Sequence, residues 1–142
     1  MEEGKVLKKI RHIGIMVEDV DRAVRRFEGF GLTCNEVIEQ KEDGKKLAFF
    51  PIGDTLIEFL GYSPDKARDP SGIVVRSQKG PINHICFEVD DLEAAILDFQ
   101  KTGAKLVEGT PRPGAHGRVA FFYPETTEGV LIELCEVKTQ HL

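Results

Sequence analysis

At 142 residues the chain is long enough for one domain, or for two half-domains that share a core. Its 41% hydrophobic and 30% charged residues suit an ordinary globular protein, and its apolar runs fall far short of a membrane span. A net charge of −5 excludes a nucleic-acid surface, which needs a dominant positive field, but allows an anionic small molecule held by a few local Lys and Arg.

Residues 1–8 are polar, with no apolar signal core. Three cysteines (Cys34, Cys86, Cys135) without a Cys-x-x-Cys fit a reducing compartment, so a cytoplasmic protein is expected. Alternation over Lys9–Val17 predicts a strand with Ile13, Ile15 and Val17 on one face and His12, Gly14 and Met16 on the other. Val20, Ala23, Val24 and Phe27 recur at helical spacing, which predicts a helix over Val20–Phe30 capped by Asp19 and stopped by Gly31. Strands Thr33–Gln40 and Lys45–Pro51 flank the polar turn Lys41–Gly44. Strand Thr55–Leu60 follows and carries Glu58. Residues 61–81, punctuated by Gly and Pro, form a connection in which Ile73–Val75 is either a short strand or a packing contact. Beyond it come strand Ile82–Val89 and helix Leu92–Thr102, with Asp90 and Glu93 as a capping box and Gly103 as its stop. Strand Lys105–Gly109, loop Thr110–Gly117 and strands Arg118–Tyr123 and Val130–Val137 complete the chain.

This order is βαβββ twice, and the residues themselves repeat. Ile10-Arg-His-Ile-Gly-Ile-Met-Val-Glu returns 72 residues later as Ile82-Asn-His-Ile-Cys-Phe-Glu-Val-Asp, placing His84 where His12 stood. Ala48-Phe49-Phe50 returns as Ala120-Phe121-Phe122, and Leu56-Ile57-Glu58 as Leu131-Ile132-Glu133. The expected fold is therefore α+β: modules 9–60 and 82–137, joined by 61–81, pair into a curved, cavity-forming mixed sheet. In each module the aliphatic face of the first strand receives the helix, which leaves the His face for the cavity beside Glu58 or Glu133. Buried carboxylates and imidazoles are costly unless paired or metal-bound. His12, Glu58, His84 and Glu133 are therefore the candidate ligands of one divalent ion, with Co, Ni, Zn, Mn and Fe all suited to such a set and one or two coordination positions left open.

The doubled βαβββ with this His…Glu…His…Glu order resembles the vicinal oxygen chelate superfamily over about residues 9–137. Pro111-Arg-Pro-Gly-Ala-His-Gly-Arg and Gly129-Val-Leu-Ile-Glu-Leu are similar to the C-terminal half of methylmalonyl-CoA epimerases, and His12-Ile-Gly-Ile-Met-Val fits them too. The resemblance implies metal ligands at His12, Glu58, His84 and Glu133. Tyr123-Pro124-Glu125 departs from the family pattern, and Lys46 stands where one type of epimerase carries a second catalytic carboxylate.

The chemistry expected of such a site is proton abstraction alpha to a thioester, with the enolate charge stabilised by the metal. Glu133 is the candidate base, and Glu58 a candidate for the opposite face alongside Lys46 or water. Lys46, Arg112, His116 and Arg118 are candidate contacts for an anionic substrate, an acyl-CoA or other thioester. No membrane partner is expected, and a homodimer is allowed. Three rival readings share the fold: a lactoylglutathione lyase, a ring-cleaving dioxygenase, and a non-catalytic small-molecule-binding protein.

Overall fold

The computed structural model describes residues 7–63, 72–76 and 80–137. The expected polar N-terminus at 1–6 and the parts of the expected connection at 64–71 and 77–79 lie outside the described residues. In chain order the elements are β1 (Leu7–Met16), α1 (Val20–Glu28), β2 (Glu36–Gln40), β3 (Lys45–Ile52), β4 (Thr55–Tyr62), α2 (Ile73–Arg76), β5 (Ile82–Val89), α3 (Leu92–Lys101), β6 (Arg112–Pro113), β7 (Gly117–Phe122) and β8 (Ile132–Val137). The chain divides into two compact units, His12–His84 and a second made of 1–11 with Ile85–Leu142.

In the first unit the strands run β2-β3-β4-β1, with β1 and β4 parallel and the other neighbours antiparallel. The apolar face behaves as the alternation requires: Val20, Ala48, Phe50 and Phe59 are buried together, with Ile15, Val17, Ala23, Val24 and Phe27 packed on them. Phe27 of α1 meets Phe59 of β4 edge-on at 4.8 Å between ring centroids, in the range favoured for aromatic pairs. Asp19 caps α1 by accepting from the Arg22 backbone N–H at 3.1 Å.

In the second unit the strands run β5-β8-β7-β6, again with one parallel pair, β5 and β8. Its core repeats the first one: Val89, Ala120 and Phe122 stand where Val17, Ala48 and Phe50 stand, and Phe99 packs against them as Phe27 does. Helices α1 and α3 each end before a glycine of positive φ, Gly31 at 97° and Gly103 at 101°. A side chain there would pay the left-handed backbone penalty, which explains why both copies carry glycine.

Two local expectations are corrected. The cap of α3 is Asp91, whose carboxylate accepts from Ala94 N–H at 3.1 Å. Asp90 instead pairs with Lys8 at 3.0 Å, and this contact holds the Lys8 ammonium above its ordinary pKa. Residues 105–109 form no strand but a single bridge, Leu106 to Phe122, and β7 takes its edge partner from Arg112–Pro113. Pro113 has no N–H to give, so it suits an edge. Ile73–Val74 resolves as a helical turn with both side chains buried.

Candidate active site

The site in the first unit is built from three strands. His12 lies on β1, Glu58 on β4 and His84 at the start of β5, and their residues are only 6%, 6% and 3% exposed. Their polar atoms converge: His12 Nε2 is 3.1 Å from His84 Nε2, and Glu58 Oε1 is 3.4 Å from each. A divalent ion bound at about 2.1 Å separates neighbouring donor atoms by about 3.0–3.4 Å. The three contacts have the lengths of edges of such a coordination shell, so the donor set fits a metal in both chemistry and spacing.

The packing explains why these atoms meet. Gly14 is registered with Glu58 across the parallel β1–β4 pair, and Phe49 is registered with Glu58 on its other side. A Cβ on Gly14 would overlap the His84 ring, so glycine is required for the imidazole to lie where it does. Phe49 closes the apolar side, with its ring centroid 6.4 Å from that of His12. Behind His84, Nδ1 is 2.7 Å from Asn83 Oδ1, and Asn83 Nδ2 donates to the Val74 carbonyl at 2.9 Å.

The second unit repeats the carboxylate placement. Glu133, also 6% exposed, is registered with Cys86 on β5 and Phe121 on β7, as Glu58 is with Gly14 and Phe49. Both copies thus bury one Glu at the same node of the same ladder.

Lys46 and Arg118 of the expected anion contacts make local ion pairs, Arg112 makes a ring contact and His116 lies in a turn. Lys46 Nζ lies 2.7 Å from Asp21, which holds the ammonium above its usual pKa and the Asp21 carboxyl below its own. It borders a mixed-charge cavity of about 620 Å³ lined by Asp19, Asp21, Glu39, Lys41 and Lys45 among others; His12, Glu58 and His84 do not line it. Arg118 pairs with Glu93 and Glu136, while Glu136 also accepts from Leu92 N–H at 3.2 Å. The Glu93 contact raises Arg118 and lowers Glu93. Arg112 lies over the Phe121 ring at 5.4 Å, a cation–π distance. His116 stands in the turn between β6 and β7 that Gly114 N–H closes onto Gly117 O at 2.7 Å.

Asn83 and Gly14 are the two site-supporting residues that sequence reasoning passed over. The available signals were slight: an Asn beside the repeated His, and a Gly inside a strand.

The model of the glyoxalase/bleomycin resistance protein/dioxygenase superfamily matches residues 11–122. The chain belongs to this superfamily. It is 32% identical to methylmalonyl-CoA epimerase, mitochondrial, of Dictyostelium discoideum, over 94% of this chain and 81% of that one. An ethylmalonyl-CoA/methylmalonyl-CoA epimerase of Cereibacter sphaeroides is 29% identical over 93% of this chain and all of its own. A solved methylmalonyl-CoA epimerase in complex with methylmalonyl-CoA and NH4+ superposes with a TM-score of 0.75 at 28% identity, covering 90% and 93% of the two chains. Within the superfamily the chain thus belongs with the epimerases, which are enzymes, and the lyase reading is not favoured. Among the described residues no helix is long and apolar enough to cross a membrane.

Proposed function

We propose that this enzyme interconverts the C2 epimers of methylmalonyl-CoA or a closely related acyl-CoA, with one divalent ion held by His12, Glu58, His84 and Glu133. The observation that carries the reading is the buried convergence of His12, His84 and Glu58 at 3.1 and 3.4 Å. Glu133 joins the set by its equivalence to Glu58 in the repeat. The names of the relatives supply the substrate class.

When bound, the cation supplies Lewis-acid stabilisation of the negative charge that develops on substrate oxygen as the C2 proton leaves. The chain's own part is acid–base. In this reading the Glu133 carboxylate, loosened from the ion, takes the C2 proton while the C–H electron pair passes into the enolate; Glu58, after ligand exchange and protonated from solvent, returns a proton to C2 on the opposite face. Efficient transfer needs each group within hydrogen-bond reach of the carbon's proton. The apolar wall made by Phe49 and the burial of the carboxylates strengthen electrostatic interactions there. Lys46 is the weaker acid–base candidate, because it is paired with Asp21 beside a cavity that His12, Glu58 and His84 do not line.

The experiment is to incubate cobalt-loaded enzyme with one C2 epimer of methylmalonyl-CoA and follow the other by a stereospecific coupled mutase. The methylglyoxal–glutathione adduct is tested in parallel. Turnover of the adduct alone would replace this reading with the lyase one.

A further inference from the structure

We infer that Asn83 is a positioning residue that sets the tautomer of His84 and so keeps its Nε2 lone pair ready for a cation. The inference rests on the metal reading for its functional meaning, but its structural content stands on three groups in one unit.

The Val74 carbonyl can only accept a hydrogen bond. Asn83 Nδ2 lies 2.9 Å from that oxygen, so the amide has its NH2 on the Val74 side and its oxygen on the other. That oxygen, Oδ1, is 2.7 Å from His84 Nδ1. An amide oxygen also only accepts, so Nδ1 must carry the hydrogen. In the neutral ring Nε2 then carries a lone pair. Nε2 is the atom that lies 3.1 Å from His12 Nε2 and 3.4 Å from Glu58 Oε1. The tautomer thus leaves an unprotonated nitrogen among the donor atoms that a shared cation would take.

Every link is enclosed: Asn83 is 6% exposed, His84 3% and Val74 3%. The helical turn Ile73–Arg76 thus supplies a fixed acceptor from the connection between the two repeats. First-copy Arg11 occupies the position equivalent to Asn83, so the device belongs to the second histidine and is not a by-product of the repeat.

The test uses metal-free full-length protein and long-range 1H–15N correlation spectra of the imidazoles. Wild type should show His84 with Nδ1 protonated and Nε2 unprotonated. Asn83→Leu should lose that pattern, and Asn83→Asp, which retains an acceptor, should keep it. Titration with cobalt(II) should then show binding weakened about 10–100-fold by Asn83→Leu and largely preserved by Asn83→Asp. An Nε2–H tautomer in wild type overturns the inference even if no variant folds. Equal cobalt affinity in wild type and a folded Asn83→Leu also overturns it. A wild-type protein with the Nδ1–H signal but no cobalt binding supports the tautomer assignment and refutes the metal reading instead.

Discussion

The Nε2 atoms of His12 and His84 lie 3.1 Å apart although 72 residues separate them in the chain. The same interval separates the two copies of the repeat, so the pair is the point where duplicated strands bring duplicated imidazoles together. With Glu58 they form a buried group whose polar atoms are spaced as the ligands of one cation would be. Purified protein should hold close to one divalent ion per chain, measured by elemental analysis. His84→Ala should remove most of it, whereas full occupancy in a double His12→Ala/His84→Ala variant would defeat the assignment.

Gly14 gives a second approach to the same point without touching a ligand. An added methyl would occupy the place of the His84 ring. Gly14→Ala should therefore lower cobalt affinity by about tenfold or more, in the range of changes that disturb ligand orientation. Unchanged affinity in a calorimetric titration would show that the ring has room to move.

The corrected helix cap is checked by stability. Asp91→Ala should cost about 1 kcal/mol in urea unfolding through loss of the bond to Ala94 N–H. Asp90→Ala should cost little, because its partner is an exposed lysine. The reverse ranking would restore Asp90 as the cap.

Lys46 and Asp21 make a surface pair whose pH dependence has a definite sign. Asp21 is depressed by Lys46, so its stabilising contribution is present above the unfolded carboxylate pKa of about 3.9 and is lost as pH falls through its lower folded value. Lys46 is raised by Asp21, so its contribution is present below about 10.4 and is lost as pH rises through its higher folded value. The melting-temperature difference between wild type and Asp21→Asn should be flat from about pH 5 to 9, shrink in stronger acid and diminish in high salt. Lys46→Met should change turnover only modestly at neutral pH. A loss of about 100-fold or more would assign Lys46 to proton transfer.

Much of this was legible in the residues because duplication exposes what a single copy hides. A lone strand histidine is unremarkable, but His12 and His84 at matched places, each followed by a Leu-Ile-Glu, mark the residues that converge on Glu58. The core was legible for the same reason: Phe50 and Phe122 recur, and both are fully buried. The remainder depends on contacts that strand periodicity does not encode. Neighbours on a strand ordinarily face opposite ways, so nothing in Asn83-His84 announced that one side chain would bond the other. The Arg118–Glu93 and Lys46–Asp21 pairs join residues 25 positions apart, and they depend on where each helix sets its first turn. Two adjacent aspartates left the α3 cap ambiguous by one residue, a normal uncertainty at helix ends. The expected strand at 105–109 is reduced to the bridge from Leu106 to Phe122, and Arg112–Pro113 pairs further along the same edge of β7.

The central claim is that a divalent ion at the doubled His/Glu site makes the C2 proton of an acyl-CoA labile, with Glu133 as its acceptor. The most direct measurement is deuterium uptake at C2 of methylmalonyl-CoA in heavy water, followed by mass spectrometry. Cobalt-loaded wild type should exchange rapidly, the chelator-stripped protein should not, and cobalt should restore the rate. Glu133→Gln at saturating cobalt should exchange about 10²–10⁴ times more slowly, the usual loss of general-base assistance. Exchange by loaded wild type no faster than in enzyme-free buffer would contradict the account, and undiminished exchange by loaded Glu133→Gln would move the base elsewhere.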